Sequence, residues 1–390
     1  MKFIIQRDHL AAGLSQVANV VNPRATLPVL SNILFEAEGD TLSLTATNMD
    51  VGIRVRVKAD VKSNGRITLN AKRLLTIVRV FEKSEVTVEL NGLNVKLSAG
   101  SQKFQLAGLH PDDPNNQFPP LATFANQHCY SLPKEEFGRL LRKVAYAQSV
   151  DEGRLVLVGV NVTFTKNETG EGERVTAVAT DGRRLAYVSK IFPSVGVAEG
   201  ESGFILPSKS VAEVQRILSG KGDVKIAFDD RQVAFDAEVL PAEKDEADTG
   251  LRDHIHFVSK LGIGVYPNYK QVIPKEAENR IKLERVQLLK IVNSAAIMAS
   301  EKGATIHLKF GDGKITATGQ ISDVGESEDS MVIDDYAGPP VTIAFNPQYL
   351  TDTLQALEED TIYYDFKDEM SPCIVRAADD FHSVIMPQRA

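Results

Sequence analysis

Tryptophan is absent from the 390 residues, and cysteine occurs only twice, as Cys129 and Cys373. Two cysteines cannot build a disulfide framework, and they show no metal-ligand spacing, so a reducing, cytoplasmic setting is expected. No apolar run approaches the ~20 residues of a membrane-spanning helix, so no membrane association is expected. The opening Met1-Lys2-Phe3-Ile4-Ile5-Gln6-Arg7-Asp8 lacks the apolar stretch of a signal peptide. Catalytic signatures are missing as well. There is no Gly-x-x-x-x-Gly-Lys phosphate loop and no Gly-x-Ser-x-Gly elbow, and Gly262-Ile263-Gly264 lacks the third glycine of a dinucleotide fingerprint. His254-x-His256 could place two imidazoles on one strand face, but with no third ligand it reads as part of a hairpin. Asp379-Asp380-Phe381-His382 reads as a turn before the last strand, and Thr180-Asp181-Gly182 as a tight turn. No catalytic residue, metal site or cofactor is expected.

What the chain does contain is one pattern written three times. The strand and helix start in Gly65-Arg66-Ile67-Thr68-Leu69-Asn70-Ala71-Lys72 return as Ser202-Gly203-Phe204-Ile205-Leu206-Pro207-Ser208-Lys209 and as Pro340-Val341-Thr342-Ile343-Ala344-Phe345-Asn346-Pro347. The spacing, about 137 and then about 139 residues, is that of a domain and not of a solenoid unit. Each copy opens with a strand and a helix that keeps the i, i+4, i+7 spacing of a buried stripe: Leu10, Leu14, Val17; Phe137, Leu141, Val144; Leu288, Val292, Ala295. Alternating strands follow, among them 41–47, 174–180 and 314–318, then the second helix and further strands. Period-2 alternation implies antiparallel sheet with one buried face. The expected fold is α+β, three tandem repeats of two helices and about eight strands. The expected domains are 1–126, 127–274 and 275–390, with an acidic loop inserted at about 241–253.

Net charge is −8 with a pI near 5.5, which by itself argues against nucleic acid. Basic residues nevertheless recur on the second helix: Lys72, Thr76, Arg79 and Lys83 lie opposite Leu74, Val78 and Phe81, and Lys209 and Arg216 lie opposite Val211, Val214 and Leu218. The third copy has Gln348 and Gln355 at those positions, and the first helix of the second copy adds Arg139, Arg142 and Lys143. Solvated helix faces look like this too, but recurrence at one repeat position favours a common basic surface. Nothing resembles a helix built to read bases, so any DNA contact is expected to be with the backbone.

Four motifs in order carry a resemblance over the whole chain. Met1-Lys2-Phe3 with Thr26-Leu27-Pro28-Val29-Leu30-Ser31-Asn32-Ile33-Leu34, Ala179-Thr180-Asp181-Gly182-Arg183-Arg184-Leu185-Ala186, Tyr266-Pro267-Asn268-Tyr269 and Val384-Ile385-Met386-Pro387-Gln388-Arg389 are similar to the bacterial sliding clamps, the beta subunits of DNA polymerase III. The resemblance implies a homodimeric ring around double-stranded DNA that tethers replicative and repair polymerases, is placed there by a clamp loader and does no chemistry. It implies a pocket for short apolar peptides at Arg154, Leu157, Thr180, Gly182, Arg184, Leu185, Pro267, Val272, Tyr349, Val384, Met386, Pro387 and Arg389. It implies DNA-facing Arg24 beside Lys72, Arg79, Arg139, Arg142, Lys209 and Arg216. The ring interface would join Lys103 and Leu106 to Ile297, Met298 and the acidic stretch Glu326 to Asp329. Gln271, Gln388 and Ala390 depart from the arginine, methionine and leucine common there, so peptide preference is expected to be shifted.

Overall fold

The computed structural model describes the chain except residues 23, 24, 26, 83, 124–128, 168–171, 194, 195, 197–200, 243–246, 275, 276, 300–303, 334, 335, 337, 389 and 390, and the side chain of Cys129. Arg24, Lys83, Arg389, Ala390 and part of the acidic segment therefore lie outside the described residues.

The first run of elements is β1 (Lys2–Gln6), α1 (Arg7–Ala18), β2 (Asn32–Glu38), β3 (Thr41–Thr47), β4 (Val51–Lys58), β5 (Asp60–Ser63), β6 (Gly65–Asn70), α2 (Ala71–Val80), β7 (Glu85–Asn91), β8 (Asn94–Ala99) and β9 (Gln102–Ala107). The second is β10 (Cys129–Pro133), α3 (Lys134–Ala145), β11 (Gly159–Lys166), β12 (Glu173–Thr180), β13 (Arg184–Phe192), β14 (Ser202–Pro207), α4 (Ser208–Ile217), β15 (Asp223–Phe228), β16 (Gln232–Glu238) and β17 (Leu251–Lys260). The third is β18 (Asn279–Glu284), α5 (Arg285–Ala296), β19 (Ile306–Gly311), β20 (Lys314–Ile321), β21 (Gly325–Val332), β22 (Val341–Phe345), α6 (Pro347–Ala356), β23 (Thr361–Phe366), β24 (Cys373–Ala377) and β25 (Phe381–Ile385).

Local chemistry explains these boundaries. Asn70 caps α2 by accepting from Arg73 N at 3.1 Å, and Asn346 caps α6 from Gln348 N at 2.9 Å with Pro347 entering the first turn. The helix stripes read from the sequence are fully buried, from Leu10, Leu14 and Val17 to Leu288, Val292 and Ala295. The acidic loop is shorter than expected. Its last residues, Leu251 to Asp253, already belong to β17, where Leu251 and Arg252 pair with Val57 and Arg56 of β4.

Among the described residues every strand pairing is antiparallel, in four sheets. Two have eight strands, in the orders β10-β15-β16-β17-β4-β3-β2-β6 and β14-β11-β12-β13-β25-β24-β23-β18. Each combines strands of two neighbouring repeats, through β17 with β4 and through β13 with β25. The others are β5-β1-β7-β8-β9 and β21-β20-β19-β22. The chain separates into two compact units, Met1–Glu136 with Arg216–Leu261, and Phe137–Gln215 with Gly262–Ala390. Each holds one eight-stranded sheet, so the central repeat is shared between them and the division passes through α3 and α4. Among the described residues, no helix is long and apolar enough to cross a membrane.

Candidate peptide-binding site and basic helix faces

An apolar cleft lies at the end of the β13–β25 pairing, within the second unit. Its volume is about 280 Å3, and it is lined by Leu157, Thr180, Gly182, Arg183, Arg184, Leu185, Pro267, Asn268, Tyr269, Val272, Val384 and Met386. Such a volume takes a few side chains and not a whole ligand. The floor follows from register. Leu185 pairs with Val384 across the strands, and both join Val178 and Ile374 in a buried cluster with Tyr187, Tyr266, Tyr269 and Ile273 packed against it.

The rim is a turn held by its own side chains. Thr180 Oγ1 accepts from Gly182 N at 3.1 Å and donates to Arg184 O at 2.6 Å. Asp181 Oδ1 accepts from Arg183 N at 2.8 Å and from Arg184 N at 3.0 Å. Gly182 has φ +86°, a backbone region costly for residues with a Cβ.

Arg184 is a strut and not a free cation. Its Nε donates to Asp181 Oδ2 at 3.1 Å, Nη1 to Asp352 Oδ2 at 2.6 Å and Nη2 to Tyr146 O at 2.7 Å. The guanidinium also lies 4.7 Å from the centre of the Tyr349 ring and 5.3 Å from that of Tyr146. Burial pushes the Tyr269 phenol up to about 12 and the Tyr266 phenol further, so both stay uncharged walls at neutral pH.

Of the thirteen expected pocket positions, nine line the cleft: Leu157, Thr180, Gly182, Arg184, Leu185, Pro267, Val272, Val384 and Met386. Arg154 stands beside it, donating to Asp181 O at 3.3 Å. Tyr349 sits behind Arg184, and Pro387 follows Met386 without lining the cleft. Arg389 lies outside the described residues. Sequence reasoning missed Arg183, Asn268 and Tyr269 as lining residues, although all three sit inside motifs it quoted. Gln388 is turned to its own domain: its N donates to Ala344 O at 2.8 Å and its Oε1 accepts from Thr305 at 2.5 Å.

The basic residues divide into two kinds. Lys72, Arg79 and Lys209 are exposed. Arg216 donates to Gln16 Oε1, and to Gln16 O at 2.8 Å, in the last turns of α1. Arg139 and Arg142 face Glu358 at 3.4 and 3.9 Å. Lys143 corrects the expectation of an exposed basic face on α3. Its side chain is 1% exposed, and its Nζ lies 2.7 Å from Glu359 Oε1 and 3.2 Å from Asp379 Oδ2. Arg24 is not among the described residues.

Lys103 is exposed and Leu106 half-buried on β9, an edge strand of its sheet. Ile297 and Met298 follow α5, and Glu326 to Asp329 lie on β21, an edge strand as well. His254 and His256 lie on β17. His256 Nδ1 sits 2.6 Å from Asp236 Oδ1 and its Nε2 3.1 Å from Ala122 O. Among the described residues no group of three or more His, Cys, Asp or Glu could hold a metal.

Three tandem domains with two seams sealed by shared antiparallel sheet are the architecture of the DNA sliding clamps, a class of non-catalytic polymerase subunits. The comparisons agree with that class. Models of the DNA polymerase III beta subunit match over residues 1–119 (N-terminal domain), 131–241 (central domain) and 270–389 (C-terminal domain). A beta sliding clamp of Caulobacter vibrioides is 32% identical over 378 residues, 96% of this chain and 95% of that protein. One from Chlamydia pneumoniae is 29% identical over 393 residues, covering 100% and 99%. A crystal structure of the Pseudomonas aeruginosa clamp bound to griselimycin superposes with a TM-score of 0.88 at 28% identity, covering 100% of both chains. The chain belongs to the DNA polymerase III beta subunit family.

Proposed function

We propose that two copies of this chain close into a ring around double-stranded DNA, without sequence preference, and that the cleft at Leu185, Val384 and Met386 tethers polymerases and the clamp loader by short apolar peptides. The observation that carries the tether is the cleft itself, an apolar floor with a polar turn at its rim, the form that suits a peptide anchor. Arg154, Tyr349, Pro387 and Arg389 are assigned to its surroundings, and Gln271, Gln388 and Ala390 are assigned to a shifted peptide preference.

Ring closure is supported by unpaired edges. Two of the chain's seams are closed by shared sheet, and β9 and β21 are among the strands that, in the described residues, are paired on one side only. Lys103 and Leu106 on β9 complement Ile297, Met298 and the acidic Glu326, Glu328 and Asp329 of a second copy, in charge and in apolar surface. The DNA-facing set is Arg24, Lys72, Arg79, Arg139, Arg142, Lys209 and Arg216, with the exposed Lys72, Arg79 and Lys209 best placed to meet phosphates. The domains are assigned to 1–126, 127–274 and 275–390, although the C-terminal family match begins earlier, at 270. Replication in the cytoplasm fits the low cysteine content.

Met386→Ala combined with Pro387→Ala is expected to abolish polymerase binding while the molar mass in solution stays that of a dimer. Retained polymerase binding would show that the cleft is not the tether. A strictly monomeric wild-type protein at micromolar concentration would remove the ring.

A further inference from the structure

The turn that rims the cleft is built a second time in the first unit. Thr47 Oγ1 accepts from Met49 N at 3.1 Å and donates to Val51 O at 2.9 Å, as Thr180 does with Gly182 and Arg184. Asn48 Oδ1 accepts from Asp50 N and Val51 N at 3.0 Å, as Asp181 does from Arg183 and Arg184. Met49 adopts φ +78° where Gly182 has +86°. Past the turn, Gly52 pairs with Val258 as Leu185 pairs with Val384, and Lys260 N donates to Asp50 O at 2.8 Å as Met386 N does to Arg183 O at 3.1 Å. The third copy closes differently: Ile321 pairs with Gly325 across three residues, where Thr180 pairs with Leu185 across four.

The two sites differ in what fills them. Where the second has Leu185, the first has Gly52, and Leu121 takes the space: any Cβ at Gly52 would collide with Leu121 Cδ2. The segment that brings Leu121 is fixed on both sides. Phe118 is buried with Val29, Leu30 and Leu34, and Ala122 O accepts from His256 Nε2 at 3.1 Å. Lys260 Nζ closes the rim on Asp50 Oδ1 at 2.9 Å, leaving a cavity of about 310 Å3.

We infer that residues 118–122 are a tethered ligand: the first turn is a second receptor for a short peptide with an apolar anchor, kept closed by the chain's own Leu121. This extends the peptide-cleft reading, on which it rests for the class of ligand. A short tether holds its ligand at an effective concentration in the millimolar range, enough to exclude weakly binding free peptides. Each chain thus keeps one open tether while carrying two copies of its framework.

The test uses the full-length chain in the Met386→Ala/Pro387→Ala background and a fluorescent peptide of residues 117–123, Gln-Phe-Pro-Pro-Leu-Ala-Thr. Adding Leu121→Ala is expected to tighten binding of this peptide at least tenfold over the background alone. Unchanged binding by a cooperatively melting Leu121→Ala protein overturns the inference. Gly52→Leu supplies a second arm by placing the second turn's residue in the first. It should expel Leu121 and raise the rate of chymotrypsin cleavage after that residue at least tenfold. A folded Gly52→Leu protein protected like the wild type also overturns it. Failure of the peptide-cleft reading shows separately, as polymerase binding that survives Met386→Ala/Pro387→Ala with Leu121 in place.

Discussion

Asp365 on β23 has a side chain 2% exposed and accepts from Arg280 Nε at 2.7 Å, Arg280 Nη2 at 2.9 Å and Arg376 Nε at 2.5 Å. Burial alone would raise its pKa, but the hydrogen bonds from Arg280 and Arg376 outweigh it and hold the carboxyl below the usual range. A group whose folded pKa is depressed gives its full stabilisation above the unfolded value of ~3.9 and loses it as pH falls through the folded pKa. Asp365→Asn should therefore cost about 1.5–3 kcal/mol at pH 7 in urea denaturation, with the deficit shrinking below about pH 4. A deficit unchanged down to pH 3 would contradict this. Lys143→Ala removes the buried cation between Glu359 and Asp379, the latter still 3.7 Å from Lys190, and should cost about 3 kcal/mol, a loss that an exposed, DNA-facing lysine would not show.

Elements were largely legible because each carries its own periodicity. The strand read over 41–47 is β3 to the residue, and the three buried helix stripes follow from i, i+4, i+7 spacing. The turn at 180–182 was legible from Asp and Gly, whereas of 379–382 only the first half is turn, with Asp379 and Asp380 at φ +58° and +48° and Phe381 and His382 already in β25. What a single sequence window cannot show is a partner far along the chain. Lys143 looks like a neighbour of Arg139 and Arg142 on α3, yet its ligands come from 359 and 379. The role of Arg184 as a strut depends on Asp352 and Tyr146, and the fit of Leu121 on Gly52 depends on strand register. At the edge strands, where β9 and β21 are each paired on one side only, Leu106→Arg is expected to convert the dimer to monomers by light scattering while leaving the thermal transition within a few degrees. A dimer of unchanged mass would place the contact elsewhere.

At the scale of the whole molecule, a net charge of −8 must be reconciled with a polyanionic partner. Attraction can come only from where charge is concentrated, and exposed Lys72, Arg79 and Lys209 recur on α2 and α4, whereas α6 has Gln348 and Gln355. A few such contacts confer weak affinity, with log K falling by ~0.9 per log unit of salt for each phosphate neutralised. Retention must then rest on topology and not on affinity. Replacing Lys72, Arg79 and Lys209 with alanine should flatten the salt dependence of binding to linear duplex by up to about 2.7 in slope, three contacts at ~0.9 each. The same triple variant, once loaded on a nicked circle by a clamp loader, should stay bound at salt well above ~0.15 M, where exposed charges are screened beyond about 8 Å. Cutting that circle should release it within the dead time of gel filtration. Release from the intact circle at the salt that frees linear DNA would mean that charge, and not a closed ring, holds the protein on its track.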